Sequence, residues 1–122
     1  EIYIGREDYL CVFDYEEKIK RITPDFAILG ELKSRGVIVT AKGNDVDYVC
    51  RFFAPAFGIN EDQATGSIQT TLTNYWSKKL NKKSLTGIQL SQRVGKFFTE
   101  LQGDRVLISG QTKTYLTGEI EI

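Results

Sequence analysis

One long helical stretch set among strands limits what this chain can fold into. From Ala64 to Leu80 the apolar residues Ile68, Leu72, Tyr75, Trp76 and Leu80 recur at helical spacing on one face. The positions between them include Thr70, Thr71, Thr73 and Asn74, mediocre helix formers. Such a helix depends on tertiary packing more than on propensity. The rest of the chain offers mainly strands to pack it against: Tyr9 to Asp14, Val37 to Ala41, Tyr48 to Ala54, Gly87 to Leu90, Lys96 to Leu101, Arg105 to Ser109 and Lys113 to Ile120. Pro55 ends the third of these, Lys42 to Asp45 supplies turn chemistry before it, and Gly103-Asp104 marks a tight hairpin. A second helix is expected to begin at Thr23-Pro24-Asp25, with Thr23 as cap, and to bury Phe26, Leu29 and Leu32 before stopping at Gly36. Gly58 to Asp62 reads as polar loop. The expectation is an α+β fold of seven strands and two helices, with a mostly antiparallel sheet curled around the long helix.

At 122 residues the chain corresponds to a single domain, 1–122. Hydrophobic residues at 41% and charged residues at 26% suit a soluble globular protein. Lys plus Arg and Asp plus Glu balance at 16 each, so no overall field draws the chain to nucleic acid or to an anionic membrane. No apolar run approaches the ~20 residues that cross a bilayer. Cys11 and Cys50 lie inside strand-like apolar runs with no Cys-x-x-Cys spacing, which fits two buried thiols in a reducing cytoplasm rather than a disulfide or a metal pair. The first residue is Glu1 rather than Met, which suggests that sequence precedes it.

There is no histidine. The commonest general base, the usual serine and cysteine triads and most zinc sites are therefore excluded from this sequence. Acid–base chemistry here falls to Asp, Glu, Lys, Tyr or backbone amides.

The segment Gly58-Ile59-Asn60-Glu61-Asp62-Gln63-Ala64-Thr65-Gly66-Ser67 carries the most chemical information. It places carboxylates, then a Thr-Gly-Ser step, at the beginning of the apolar helix. The first amides of a helix have no internal partner, and the macrodipole favours negative charge beside them by ~0.3–1 kcal/mol. Gly66 lets a ligand approach the backbone, and Ser67 adds a hydroxyl donor. Together they suit a carboxylate or a phosphate. Taken alone, the same residues are more often a plain helix cap at Asp62 or Thr65, with Gly66 there for close packing.

The flanking sequence changes that balance. Asp47-Tyr48-Val49-Cys50-Arg51-Phe52-Phe53-Ala54-Pro55 runs directly into the segment above. The joined motif resembles the PhzF-like family of phenazine biosynthesis-like proteins, in which an Arg-Phe-Phe-Ala-Pro strand leads into Glu-Asp-Pro-Ala-Thr-Gly-Ser. The resemblance continues through Tyr75-Trp76, Gln92-Arg93-Val94-Gly95 and Gly103-Asp104-Arg105-Val106, most of the chain. Gln63 stands where the family usually has Pro, which is expected to loosen the loop slightly. Val94-Gly95 stands where a Gly-Gly pair is common.

The resemblance implies a diaminopimelate epimerase-like fold, in which two lobes each wrap a curled sheet around a central helix and share the active site. This chain resembles the C-terminal lobe, and the helix from Ala64 is its central helix. The implied activity is a cofactor-independent, metal-free proton shift on a small carboxylated metabolite. The acid–base glutamate and a neighbouring histidine come from the other lobe. What carries over here is Asp62 as the catalytic residue, contacting or orienting the polar part of the substrate. Gly66 and Ser67, with Thr65 beside them, bind its carboxylate. In epimerase and racemase relatives a cysteine stands where this sequence has Thr65. A threonine hydroxyl is too weakly acidic for that proton-transfer role, so carboxylate-based transfer fits better. The implied partners are the small acid and either the N-terminal lobe or a second copy of the chain. A lone chain is expected to be inactive, with an apolar face that favours self-association. A non-catalytic binding domain is the alternative.

Other features have simpler readings. Arg51 is expected to find an ion-pair partner, and Lys78, Lys79, Lys82 and Lys83 to complement the end of the long helix. Glu16, Glu17 and Glu61 are expected to be solvated, and Tyr75 and Trp76 to lie in the core.

Overall fold

The computed structural model describes residues 1–121. Its elements are β1 (Ile2–Ile4), β2 (Asp8–Val12), α1 (Glu16–Arg21), α2 (Phe26–Gly30), β3 (Gly36–Lys42), β4 (Tyr48–Ala54), a 3-10 turn at Pro55–Phe57, β5 (Ile59–Asp62), α3 (Ile68–Leu80), β6 (Ser84–Gln89), β7 (Gly95–Gln102) and β8 (Arg105–Gly110). The strands form one sheet in the order β1-β2-β3-β4-β6-β7-β8, with β5 paired to β4 at its side. Five of the pairings are antiparallel. The two parallel ones, β2 with β3 and β4 with β6, are those whose connections contain helices. The fold is α+β, as the pattern of elements implies.

Strands β3 and β4 explain the layering. Both are buried almost throughout, so their sequences lack the apolar–polar alternation of a sheet with one wet face. Ile38 on β3 and Tyr48, Cys50, Phe52 and Ala54 on β4 face α3, where they meet Ile68, Leu72 and Trp76 together with Leu10 and Leu85. Burying each of the leucine, isoleucine and phenylalanine side chains among them contributes about 1.5–3 kcal/mol. The alternate residues Val37, Val39, Ala41, Val49 and Phe53 face the opposite way and pack on Ile19 of α1 and on Phe26 and Leu29 beside it. Contacts of α3 with β6, β7 and β8 complete the wrap of the sheet around that helix. Trp76 is satisfied inside this core: its indole donates to Thr40 Oγ1 at 3.0 Å, and that hydroxyl donates to the Val49 carbonyl at 2.7 Å.

Several sequence expectations are corrected. Helix α3 begins at Ile68 rather than Ala64, because residues 63–67 are tied sideways to β6 and the loop that follows it. Helix α2 has five residues, and Asp25 rather than Thr23 caps it by accepting from the amides of Ala27 and Ile28. Gly36 stops no helix. It opens β3, where a Cβ would stand 2.5 Å from the Phe53 carbonyl oxygen. The supposed loop Gly58 to Asp62 contains β5, and β1 and α1 were not anticipated. Residues Lys113 to Ile120 form no strand. They pair with no strand of the described sheet and are exposed throughout, Tyr115 fully so. Gly103, at φ 61°, makes the expected hairpin between β7 and β8.

Candidate active site

Strand β4 and Pro55 deliver the chain to the site, and Gly58 at φ 78° turns it back so that β5 runs beside β4. The pairing is secured by Arg51 and Glu61. The guanidinium meets the carboxylate twice, at 2.7 and 2.9 Å, lies over the Phe53 ring, and donates to the carbonyls of Ile19 and Ile22. Arg51 has its expected partner. Glu61 is not solvated, and neither is Glu16, whose carboxylate accepts from the Asn44 amide and pairs with Lys20.

Beyond β5 the loop is fixed by a buried hydrogen-bond chain rooted in the core. Tyr48 donates its hydroxyl to Gln69 Oε1 at 2.6 Å, and Gln69 Nε2 donates to the Thr65 carbonyl at 3.1 Å. The Thr65 amide donates to Gln89 Oε1 at 2.8 Å, while Gln89 Nε2 donates to Thr65 Oγ1 and to the Asp62 carbonyl. The Thr65 hydroxyl in turn donates to Asp62 Oδ2 at 2.6 Å. Burial of Tyr48 pushes its pKa well up, so it remains a neutral donor. Asp62 is thus oriented by Thr65, and its Oδ1 has no hydrogen-bond partner among the described residues.

The turn after β6 clamps the same loop from outside. Ser91 donates to the Gln63 carbonyl at 2.6 Å, and the Arg93 amide donates to Gln63 Oε1 at 2.8 Å. Gln63 therefore ties the loop rather than loosening it. Gly95 lets this turn close down, since a Cβ there would lie 2.9 Å from Ala64 Cβ.

Gly66 and Ser67 project from this braced base and are exposed. Neither amide has a hydrogen-bond acceptor among the described residues, and a Cβ added at Gly66 would meet nothing within 4 Å. Neither Asp62 nor Thr65 caps α3: Ser67 occupies the cap position in helical conformation, without a side-chain cap bond. Ser67 also borders a cavity of about 390 Å³ that Gly5, Arg6, Asp8, Arg35 and Thr70 help to line. Asp62 and Gly66 do not reach that cavity. The structure therefore joins Asp62 to Thr65 and leaves the Gly66 and Ser67 amides open, but Thr65 itself has its amide, hydroxyl and carbonyl occupied by protein. No cluster of three or more potential metal-ligating side chains exists among the described residues.

The family model of phenazine biosynthesis-like proteins matches residues 3–118. The chain belongs to that family. It is 46% identical over 120 residues to an uncharacterized isomerase of Pseudomonas aeruginosa, covering 98% of this chain and 46% of the relative. A crystal structure of a PhzF-family phenazine biosynthesis protein from Enterococcus faecalis superposes with a TM-score of 0.88 at 42% identity, covering 94% of this chain and 46% of that one. A phenazine biosynthesis PhzC/PhzF protein of Clostridium difficile gives 0.87 at 36% identity, over 99% and 47%. The chain thus spans about half the length of the relatives it matches. No helix is long and apolar enough to cross a membrane among the described residues.

In this phenazine biosynthesis-like chain, sequence reasoning missed Gln89, Gln69 and Arg35. The two glutamines carried a signal. Gln89 shares the inward parity of Leu85 and Gly87 on β6, and Gln69 sits on the buried face of α3 with Leu72 and Trp76. A polar residue at a core position must find partners. Arg35 carried no such mark, because its partners Asp8 and Ser67 are 27 and 32 residues away.

Proposed function

We propose that this chain is the substrate-carboxylate-binding lobe of a PhzF-like isomerase that moves a proton on a small carboxylated metabolite. The observation that carries the reading is the pair of open amides at Gly66 and Ser67, presented at the start of α3 beside the Asp62 loop. Such amides suit an anion. Asp62, with one oxygen fixed by Thr65 and the other free, orients the polar part of the substrate. The proton is carried by an acidic residue of the partner lobe, and it moves while the carboxylate is held. Thr65 supports this assignment by serving as a brace, since a threonine hydroxyl cannot act as the second base of a cysteine-type racemase. No cofactor enters the scheme.

The test uses the complete protein with its partner lobe. Candidate acids are incubated in D2O and deuterium uptake at carbon is followed by NMR. Asp62→Ala and Ser67→Ala, each made separately, are expected to slow uptake at least about tenfold, one hydrogen bond to a charged group being worth ~1.5–3 kcal/mol. Full activity in both variants excludes these residues from the mechanism.

A second reading, a non-catalytic interaction domain, is favoured by the exposed apolar side chains Ile2, Ile4, Phe57 and Val94. Light scattering distinguishes it: concentration-dependent self-association supports an interaction domain, and a stable monomer at high concentration counts against it.

A further inference from the structure

We propose that Arg35 is a positioning residue for the Ser67 hydroxyl, a role that rests on the carboxylate-binding reading and deepens it. Arg35 lies just before β3, and Asp8, the first residue of β2, holds one side of its guanidinium through Nε at 2.9 Å and through Nη2. Asp8 is itself buried, so this pair is a fixed mount rather than a loose surface contact. The plane also rests on the Phe52 ring, 5.5 Å from its centroid. The nitrogen that remains, Nη1, donates to Ser67 Oγ at 2.9 Å and lies 3.7 Å from the carboxylate of Glu7, which also lines the cavity.

The direction of that last bond matters. A guanidinium has donors only, so Ser67 Oγ must accept from it. The hydroxyl proton is then not used toward Arg35, and it finds no acceptor among the described residues. Arg35 thereby leaves Ser67 as a donor facing the cavity that both residues line. The Ser67 amide and hydroxyl, with the Gly66 amide next along the chain and outside the cavity, make a receptor at the cavity's edge in which the serine rotamer is set before a carboxylate arrives. Without Arg35 the Ser67 rotamer is no longer set, and the site loses its preset donor.

The test is a double-mutant cycle read by acetate affinity, taken from the shifts of the Gly66 and Ser67 amides in the 15N-labelled chain. Arg35→Gln is expected to weaken acetate about tenfold in the parent, and less than about twofold when Ser67→Ala is already present. A residue with a merely structural role lowers affinity equally in both backgrounds. Equal loss, or no loss, overturns the role of Arg35 and leaves the amide site standing. Absence of any acetate shift at Gly66 and Ser67 in the parent chain overturns the underlying carboxylate reading instead. Should Arg35→Gln alone unfold because Asp8 is left buried without a partner, the pair Asp8→Asn with Arg35→Gln replaces it in the cycle, with the same expected outcomes.

Discussion

Gln89 and Thr65 hold each other twice: the Thr65 amide donates to Gln89 Oε1 at 2.8 Å, and Gln89 Nε2 donates to Thr65 Oγ1 at 3.1 Å. Gln89 is wholly buried and also takes the Asp62 carbonyl, so one side chain closes both ends of the loop that carries the candidate catalytic carboxylate. Gln89→Leu keeps the volume but strands these groups without water. Each unpaired buried group costs about 1–3 kcal/mol, and urea denaturation is expected to show a loss of about 2–4 kcal/mol. The Gly66 amide resonance should broaden or shift in the folded variant, because its base is no longer fixed.

Two glycines separate site from scaffold. A side chain at Gly66 meets open space, so Gly66→Val is expected to change stability by no more than about 1 kcal/mol while blocking the approach to the amides and abolishing carboxylate binding. A Cβ at Gly87 would stand 2.3 Å from the Tyr48 ring, and Gly87→Ala is expected to cost about 1–3 kcal/mol through overpacking. Thermal denaturation of both variants, with acetate titration of the first, checks the contrast.

Much of this architecture was legible because it followed from local rules. The apolar periodicity from Ile68 to Leu80 marked α3, Pro55 marked the end of β4, and Gly103-Asp104 marked the last hairpin. What escaped depends on partners distant in sequence. Strand β1 exists because Tyr9, Leu10 and Cys11 pair with it, β5 because Arg51 neutralises Glu61, and α1 is anchored by Ile19 as its single buried residue. The stretch 113–120 shows the converse, a strand-like composition with no strand neighbour among the described residues. In the site, Asp62, Gly66 and Ser67 could be read from the motif, but the occupancy of Thr65 and the reach of Arg35 could not.

Acid should weaken the α1 attachment. Hydrogen bonds from Lys20, then from the Asn44 amide, hold the Glu16 pKa below its ordinary 4.5. A carboxylate with a lowered folded value contributes stability that is complete above its unfolded pKa and is lost as pH falls through the folded one. The stability difference between the parent and Glu16→Gln is therefore expected to be constant above pH ~5 and to shrink below ~4.5, as measured by urea melts across that range.

The thiols should be inert in the folded chain. Burial pushes Cys50 up to about 12 and raises Cys11 as well, so neither is a thiolate at neutral pH. Iodoacetamide at pH 7.5 is expected to modify Cys50 only after denaturation, as read by mass spectrometry of tryptic peptides. Rapid native labelling of Cys50 contradicts its placement between β4 and α3.

The proposed function requires a carboxylate to bind at the Gly66 and Ser67 amides. A crystal structure of the chain soaked with a small carboxylic acid tests this most directly. The prediction is a carboxylate within hydrogen-bonding distance of both the Gly66 and Ser67 amides, with the Ser67 hydroxyl as a third donor. A carboxylate found only among Lys78, Lys79, Lys82 and Lys83, with the Gly66 and Ser67 amides turned away or solvated, contradicts it.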